Sequence, residues 1–295
     1  MDALNARAGS GKQSGVLCNR RPPRRTEHRS MQTNEALLDS LTSDDRLAGR
    51  TALVTGASSG IGEAVARVLA ASGATVGVAG RDVQRTQAVV DAITASGGSA
   101  VAVIGELNAH PDAVRDLAAS ATAALGGRVD IVVNNAGVYP VGPTALLPDD
   151  DAEALWATNV RAPHVLVGAL APGMVDRGSG VIVNIGSWMS RVGVPFTALY
   201  PATKAAVEQL TRAWAAEFGP HGVRVSTVSP GATATPGNAD SHDVLAQMTA
   251  GTPSGAPVRP VDVAFAVRWL ASDEASFVHG ATIDVDGGIA ATRLG

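Results

Sequence analysis

Cysteine is nearly missing: Cys18 stands alone in 295 residues, which excludes a disulfide framework, a thiolate zinc cluster and an iron–sulfur centre and fits a reducing cytoplasm. Lysine is almost as rare, with only Lys12 and Lys204 against 21 arginines, and tyrosine is limited to Tyr139 and Tyr200. The six histidines, His28, His110, His164, His221, His242 and His279, lack ligand-like pairing, so no metal site is expected. No uninterrupted apolar run reaches the roughly 18 residues that a membrane span requires. Such scarcity makes position informative, because two rare residue types set four apart are poor candidates for filler.

What is present describes a folding chain. Apolar residues make up 45% and charged residues 17%, which excludes a wholly disordered or fibrous protein. The length suits one large α/β domain or two small ones. Residues 1–49 carry 8 Lys/Arg against 6 Asp/Glu, whereas the remainder is net acidic, which argues against nucleic acid as a partner. The stretch NRRPPRRTEHRS has no hydrophobic period and two adjacent prolines, so residues 1 to about 34 are expected to be disordered within a mobile extension, 1–48. It also lacks the apolar core of a secretory signal. The folded domain is placed at 49–295.

From residue 51 short β-branched runs alternate with longer helical patterns, the signature of βαβ units around a parallel sheet. Strands are predicted at 51–56, 74–80, 99–105, 129–135, 180–187, 223–230 and 281–287, and helices at 61–72, 83–96, 111–125, 149–176, 198–219 and 260–271. The predicted fold is a single-domain α/β, Rossmann-like doubly wound parallel sheet of about seven strands. Segment 231–258 has little periodicity and reads as a lid.

The first strand runs through Thr55-Gly56-Ala57-Ser58-Ser59-Gly60-Ile61-Gly62 into an Ala-rich helix. Gly56 suits a tight turn, Gly60 a close backbone approach to a pyrophosphate, and Gly62 tight helix–strand packing, with free N–H groups at the helix start. A plain βα turn would also carry glycine. The spacing Gly-x3-Gly-x-Gly, the Asn134-Asn135-Ala136-Gly137 turn, the set Asn159, Ser187, Tyr200 and Lys204, and Pro230-Gly231 together resemble the short-chain dehydrogenases/reductases, single-domain branch, over residues 48–290. Glu106-Leu107 stands where that family more often has Asp-Val near the adenine, and Gly186 and Ser226 replace its more usual Ser and Asn.

Tyr200 and Lys204 lie four apart in a helical stretch and so share one face. A phenol titrates near pH ~10, and a nearby ammonium is expected to favour the phenolate. In a chain that otherwise uses arginine, Lys204 is not the expected solvated cation, and arginine cannot replace a compact ammonium. Pro201 requires that the helix has only just begun. Ser187 follows the fifth strand on the sheet's carboxyl edge, 13 residues before Tyr200, where its hydroxyl can donate to a substrate oxygen. Asn159 falls inside a helical stretch where asparagine is mildly unfavourable, which suggests a polar task. The resemblance implies hydride transfer between nicotinamide and a carbonyl or alcohol carbon, with Tyr200 as general acid or base, Lys204 holding the nicotinamide ribose, Ser187 polarising the substrate and Asn159 anchoring a water.

The second predicted strand ends Gly80-Arg81-Asp82. An NAD-selective site needs an acid at the slot Gly80 occupies, and by the resemblance Arg81 pairs with the 2′-phosphate, so NADP(H) is favoured and NAD(H) remains possible. A one-residue slip would make Asp82 the acid. The implied cofactor set is Gly56, Ser58, Ser59, Gly60, Ile61, Gly62, Arg81, Glu106, Leu107, Asn135, Ala136, Gly137, Tyr200, Lys204, Pro230, Gly231 and Thr235. Ser187, Trp188, Met189 and Tyr139, with Val138, are expected to wall a pocket for a ketone or secondary alcohol with an apolar or cyclic body, though Trp188 could equally be core. The family's final strand implies a homotetramer or homodimer. The competing reading is an NADP-binding regulatory protein on the same fold without turnover. Enoyl reduction is a further one, whose family members space Tyr and Lys more widely.

Overall fold

The computed structural model describes residues 32–292. Seven strands, β1 (Thr51–Thr55), β2 (Thr75–Gly80), β3 (Ser99–Ile104), β4 (Ile131–Asn134), β5 (Gly180–Ile185), β6 (Val223–Pro230) and β7 (Thr282–Val285), form one parallel sheet in the order β3-β2-β1-β4-β5-β6-β7. Each lies within a run predicted from the sequence. The helices are α1 (Asn34–Asp39), α2 (Gly60–Ala71), α3 (Val83–Ala95), α4 (Pro111–Ala124), α5 (Asp149–Trp156), α6 (Ala162–Arg177), α7 (Leu199–Phe218), α8 (His242–Thr249) and α9 (Pro260–Ala271). None is long and apolar enough to cross a membrane among the described residues.

The central strands are apolar on both faces because helices cover both sides, so alternate side chains enter two separate cores. In β1, Ala52 and Val54 join Val65 and Leu69 of α2 and Val267 and Leu270 of α9 in one core. Leu53, pointing the other way, joins Leu166 and Met174 of α6 and Trp214 of α7 in the second. Chain direction across the sheet reverses between β1 and β4, which opens a crevice at the carboxyl ends of those strands, where ligands of such sheets bind.

Three expectations change in the folded chain. The predicted extension ends earlier than residue 48: Thr33 caps α1 by accepting the Ala36 N–H at 3.2 Å, and Asn34 Oδ1 accepts the Val261 N–H at 2.9 Å. Leu38 and Leu47 are buried in the first core, so apolar burial holds residues 33–48 on the domain. The disorder expected before residue 32 lies outside the described residues. The helix predicted over 149–176 is interrupted by one π turn, Ala157–Arg161, between α5 and α6. Segment 231–258, expected to be irregular, contains a 3₁₀ turn, Pro236–Ser241, followed by α8.

Candidate active site

The β1–α2 turn is shaped by contacts no other residue type would allow. Gly56 has φ +63°, and a Cβ there would lie 2.8 Å from the Ala136 Cα; at Gly62 it would lie 2.2 Å from the Gly56 carbonyl oxygen. The neighbouring turn is stitched to it: Asn135 Nδ2 donates to the carbonyls of Thr55 at 2.9 Å and Gly56 at 3.1 Å, while Thr55 Oγ1 accepts the Asn135 and Ala136 N–H groups. Ser59, at the start of α2, makes no side-chain cap, so the first-turn N–H groups face the crevice with the positive end of the helix dipole. This cradle fits a dinucleotide pyrophosphate. Ile61 is half-buried against the first core, and Thr235 lies over the turn, its Cγ2 3.4 Å from where a Gly60 Cβ would stand.

The end of β2 resolves the sequence ambiguity over Asp82. Its carboxylate caps α3, accepting the Arg85 N–H at 3.0 Å and pairing with the Arg85 guanidinium at 2.9 Å, which lowers its pKa through those hydrogen bonds. A side chain at Gly80 would meet Thr86 Oγ1 at 2.5 Å and Ser58 Cβ at 3.3 Å, so a carboxylate in that slot would have to displace Thr86. Arg81 is exposed and makes no ion pair among the described residues. Past β3, Glu106 is exposed and Leu107 packs on the second core.

At the opposite side of the crevice α7 begins at Leu199, so Pro201 sits in its first turn, where an N–H has no helical partner to lose. Lys204 is buried, its Nζ donating to the Ile185 carbonyl at 2.9 Å and lying 5.9 Å from the centre of the Tyr200 ring. Loss of hydration brings its pKa down to about 8. The expected effect on Tyr200 is corrected: burial raises the phenol pKa, a hydrogen bond with Ser187 pulls it back, and Tyr139 pushes it up. The Lys204 ammonium is turned to a backbone carbonyl instead.

Ser187 is buried at the end of β5, where its hydroxyl accepts the Met189 N–H at 3.2 Å and opens the turn Trp188–Arg191. Asn159 occupies the π turn, an irregularity often found at functional sites. Its Oδ1 accepts the Val138 N–H and its Nδ2 donates to the Val138 carbonyl, both at 2.9 Å, and also to Thr203 Oγ1 at 3.1 Å. Gly137 lets this group close up, since a Cβ there would lie 3.3 Å from Asn159 Oδ1 and 3.5 Å from Lys204 Nζ. Pro230 ends β6, and Gly231 permits the chain to pass Asp286, whose Cα would lie 2.7 Å from a Cβ.

Residues that sequence reasoning passed over complete the site's support. Glu208, one turn beyond Lys204, is buried and hydrogen-bonds the Ser190 hydroxyl. Arg191 pairs with Asp284 of β7 and approaches Glu208 to 3.9 Å, which ties the Ser187 turn to α7 and the sheet edge. Thr203 donates to the Tyr200 carbonyl at 2.7 Å. A signal existed in the sequence: Tyr200, Lys204, Glu208 and Thr211 form a polar stripe along one face of a helix otherwise rich in Ala, Val and Leu.

Trp188 is core, clustering with Ala232 and Ile289 and with the half-buried Met189, Val192, Val194, Leu245 and Met248. Tyr139 stands at the mouth with its ring 6.5 Å from that of Tyr200. Thus the crevice has a glycine cradle at one end, converging hydroxyls and a buried ammonium at the other, and an apolar cluster around Trp188.

A family model described as enoyl-(acyl carrier protein) reductase matches residues 56–290. L-rhamnose 1-dehydrogenase (NAD(P)(+)) of Sphingomonas sp. (strain SKA58) is 38% identical over 82% of this chain and 97% of its own length. A solved structure of a short chain dehydrogenase/reductase family protein is 47% identical, covering 84% of this chain and 100% of its own, with a TM-score of 0.77. Another, from Beutenbergia cavernae, provisionally named an NAD(P) dependent gluconate 5-dehydrogenase and holding NADP at low occupancy, is 40% identical over 83% and 98%, with a TM-score of 0.78. Fold and site thus define an NAD(P)-dependent oxidoreductase. The chain belongs to the short-chain dehydrogenases/reductases.

Proposed function

We propose that this protein reduces a ketone, and oxidises the corresponding secondary alcohol, with NADP(H) as hydride carrier and Tyr200 as the proton-transferring group. The observation that carries this reading is the buried Lys204 ammonium, bonded to the Ile185 carbonyl at the end of β5 just before Ser187, with its Nζ 5.9 Å from the centre of the Tyr200 ring. When bound, the nicotinamide supplies or accepts the hydride. Ser187 orients and polarises the substrate oxygen, and Tyr200 donates the proton that oxygen acquires. A phenol raised by burial is fully protonated at neutral pH, which suits an acid in the reducing direction. Lys204, brought to about 8, exchanges a proton readily near neutral pH and holds the nicotinamide ribose. Asn159, fixed to Val138, keeps the water of the relay in line.

The NADP(H) preference is supported at the end of β2: the slot for an acid holds Gly80, crowded by Thr86, Asp82 is committed to the α3 cap, and Arg81 is exposed toward a 2′-phosphate. Replacing Arg81 with alanine is expected to reduce the NADPH-over-NADH affinity ratio about tenfold, as for a lost charge-assisted contact; an unchanged ratio would overturn the assignment. Trp188, Met189, Leu245 and Met248 support a substrate with an apolar or cyclic body. β7 ends the sheet among the described residues, and this edge supports self-association as a homotetramer or homodimer, which sedimentation would check.

The decisive experiment measures NADPH and NADH binding by fluorescence, then cofactor oxidation with a panel of ketones, aldehydes and quinones. Turnover of a cyclic ketone with NADPH, lost in Tyr200→Phe while NADPH still binds, is expected. Full turnover by Tyr200→Phe would sink the mechanism, and preference for short polar carbonyls would sink the substrate class.

A further inference from the structure

We infer that Tyr139 is the latch of the lid, a positioning residue that ties the Pro236–Ser241 turn and α8 to the ring of Tyr200. This inference rests on the reaction proposed above. The chain's only two tyrosines are brought together, their rings meeting edge to face with centroids 6.5 Å apart and planes at 71°. Tyr139 starts from fixed ground, because the preceding residue, Val138, is clamped on both its backbone groups by Asn159. From there its hydroxyl reaches across the mouth and donates to the Gly237 carbonyl at 2.9 Å.

Among the described residues, this is the hydrogen bond that joins Pro236–Thr249 to the protein outside segment 231–258; Asn238, Thr235 and Thr249 spend theirs inside it. The other attachment is apolar: Leu245 and Met248 of α8 cluster with Trp188 and Met189 of the Ser187 turn, with Val192 and Val194, and with Ile289 and Ala290 near the last strand. A phenylalanine at 139 would supply the same ring to Tyr200. Only the hydroxyl reaches the lid, so the hydroxyl is the feature that needs a reason. Opening the mouth for a substrate breaks the Tyr139–Gly237 bond and frees the ring to leave Tyr200, so lid position and the surroundings of the catalytic phenol change together.

Hydrogen exchange on the full chain tests the latch. An eight-residue helix does not persist undocked, so lid opening exposes the amides of α8. In Tyr139→Phe these amides are expected to exchange roughly fivefold faster, the net worth of one hydrogen bond, while β1 and β5 keep their protection. Leu245→Ala, which weakens the apolar attachment, sets the scale for an undocked lid. With a ketone identified from the panel, the loss in kcat/KM of Tyr139→Phe is expected to fall on KM. Unchanged exchange in α8 would overturn the latch, as would a loss confined to kcat. Failure of the proposed reaction would look different: Tyr200→Phe would turn over normally, whatever α8 does in Tyr139→Phe.

Discussion

Two walls face each other across the crevice, and they are held by different means. The floor, at the carboxyl ends of β4, β5 and β6, is cross-braced by buried polar groups: Asn134 Nδ2 donates to Asn184 Oδ1 at 2.8 Å, Asn184 Nδ2 donates to Thr211 Oγ1 at 2.8 Å, and the Thr211 and Thr227 hydroxyls meet at 2.7 Å. The proposed lid is mostly exposed over Pro236–Thr249, where among the described residues a handful of apolar contacts and the Tyr139 hydrogen bond join it to the rest of the protein. Proton transfer tolerates little misplacement, and the residues proposed for it project from the braced side. Admission of a substrate requires motion, which belongs to the side that opens at small free-energy cost.

The comparison breaks most visibly at the chemistry. Tyr200→Phe is expected to lower kcat by about 10²- to 10⁴-fold, the range for a lost acid–base group, with NADPH affinity retained. Steady-state kinetics with parallel binding checks both halves of that statement. If the floor is the rigid wall, Asn184→Ala must be costly, since it leaves the Asn134 and Thr211 groups buried without their partner. A stability loss of about 1–3 kcal/mol by denaturant titration is expected, and a loss within ~0.5 kcal/mol would mean that the brace is ornamental.

Lys204 gives the comparison a pH dependence. Its folded pKa, about 8, lies below the ordinary 10.5, so between these values the unfolded chain holds more of the proton. Stability therefore rises with pH through that window, and below about pH 8, with lysine protonated in both states, the penalty is at its full size. Relative to Lys204→Met, wild type is expected to gain on moving from about pH 7.5 to about pH 9.5. A constant difference between the two proteins would show that burial does not disfavour the ammonium. The smallest expected effect is on the lid: Tyr139→Phe should change global stability by less than ~0.5 kcal/mol even as α8 opens more often, because the floor unfolds independently of the latch.

Much of this was legible along the chain. Short β-branched runs and helical periods located each strand and nearly every helix among the described residues, because buried parallel strands must be apolar on both faces and their helices on one. The rarity of lysine and tyrosine singled out Tyr200 and Lys204 without any contact being known. The helix α1 escaped notice because six residues and one fully committed leucine leave no readable period. The π turn at Asn159 escaped as well, since one extra residue in a helical ring leaves the hydrophobic pattern almost intact.

By itself the sequence determined the alternation of strands and helices, the glycines at which only a missing side chain allows close approach, and the residue types available for chemistry. Tertiary structure alone decided which of those residues meet. Asp82 went to a helix cap, Lys204 to a backbone carbonyl in a dry interior that lowers its pKa to about 8, and Tyr139, 61 positions before Tyr200, to a place between the Tyr200 ring and Gly237. Local spacing fixes neighbours within one turn or one strand, whereas desolvation and long-range hydrogen bonds depend on what the other elements bring to the same crevice.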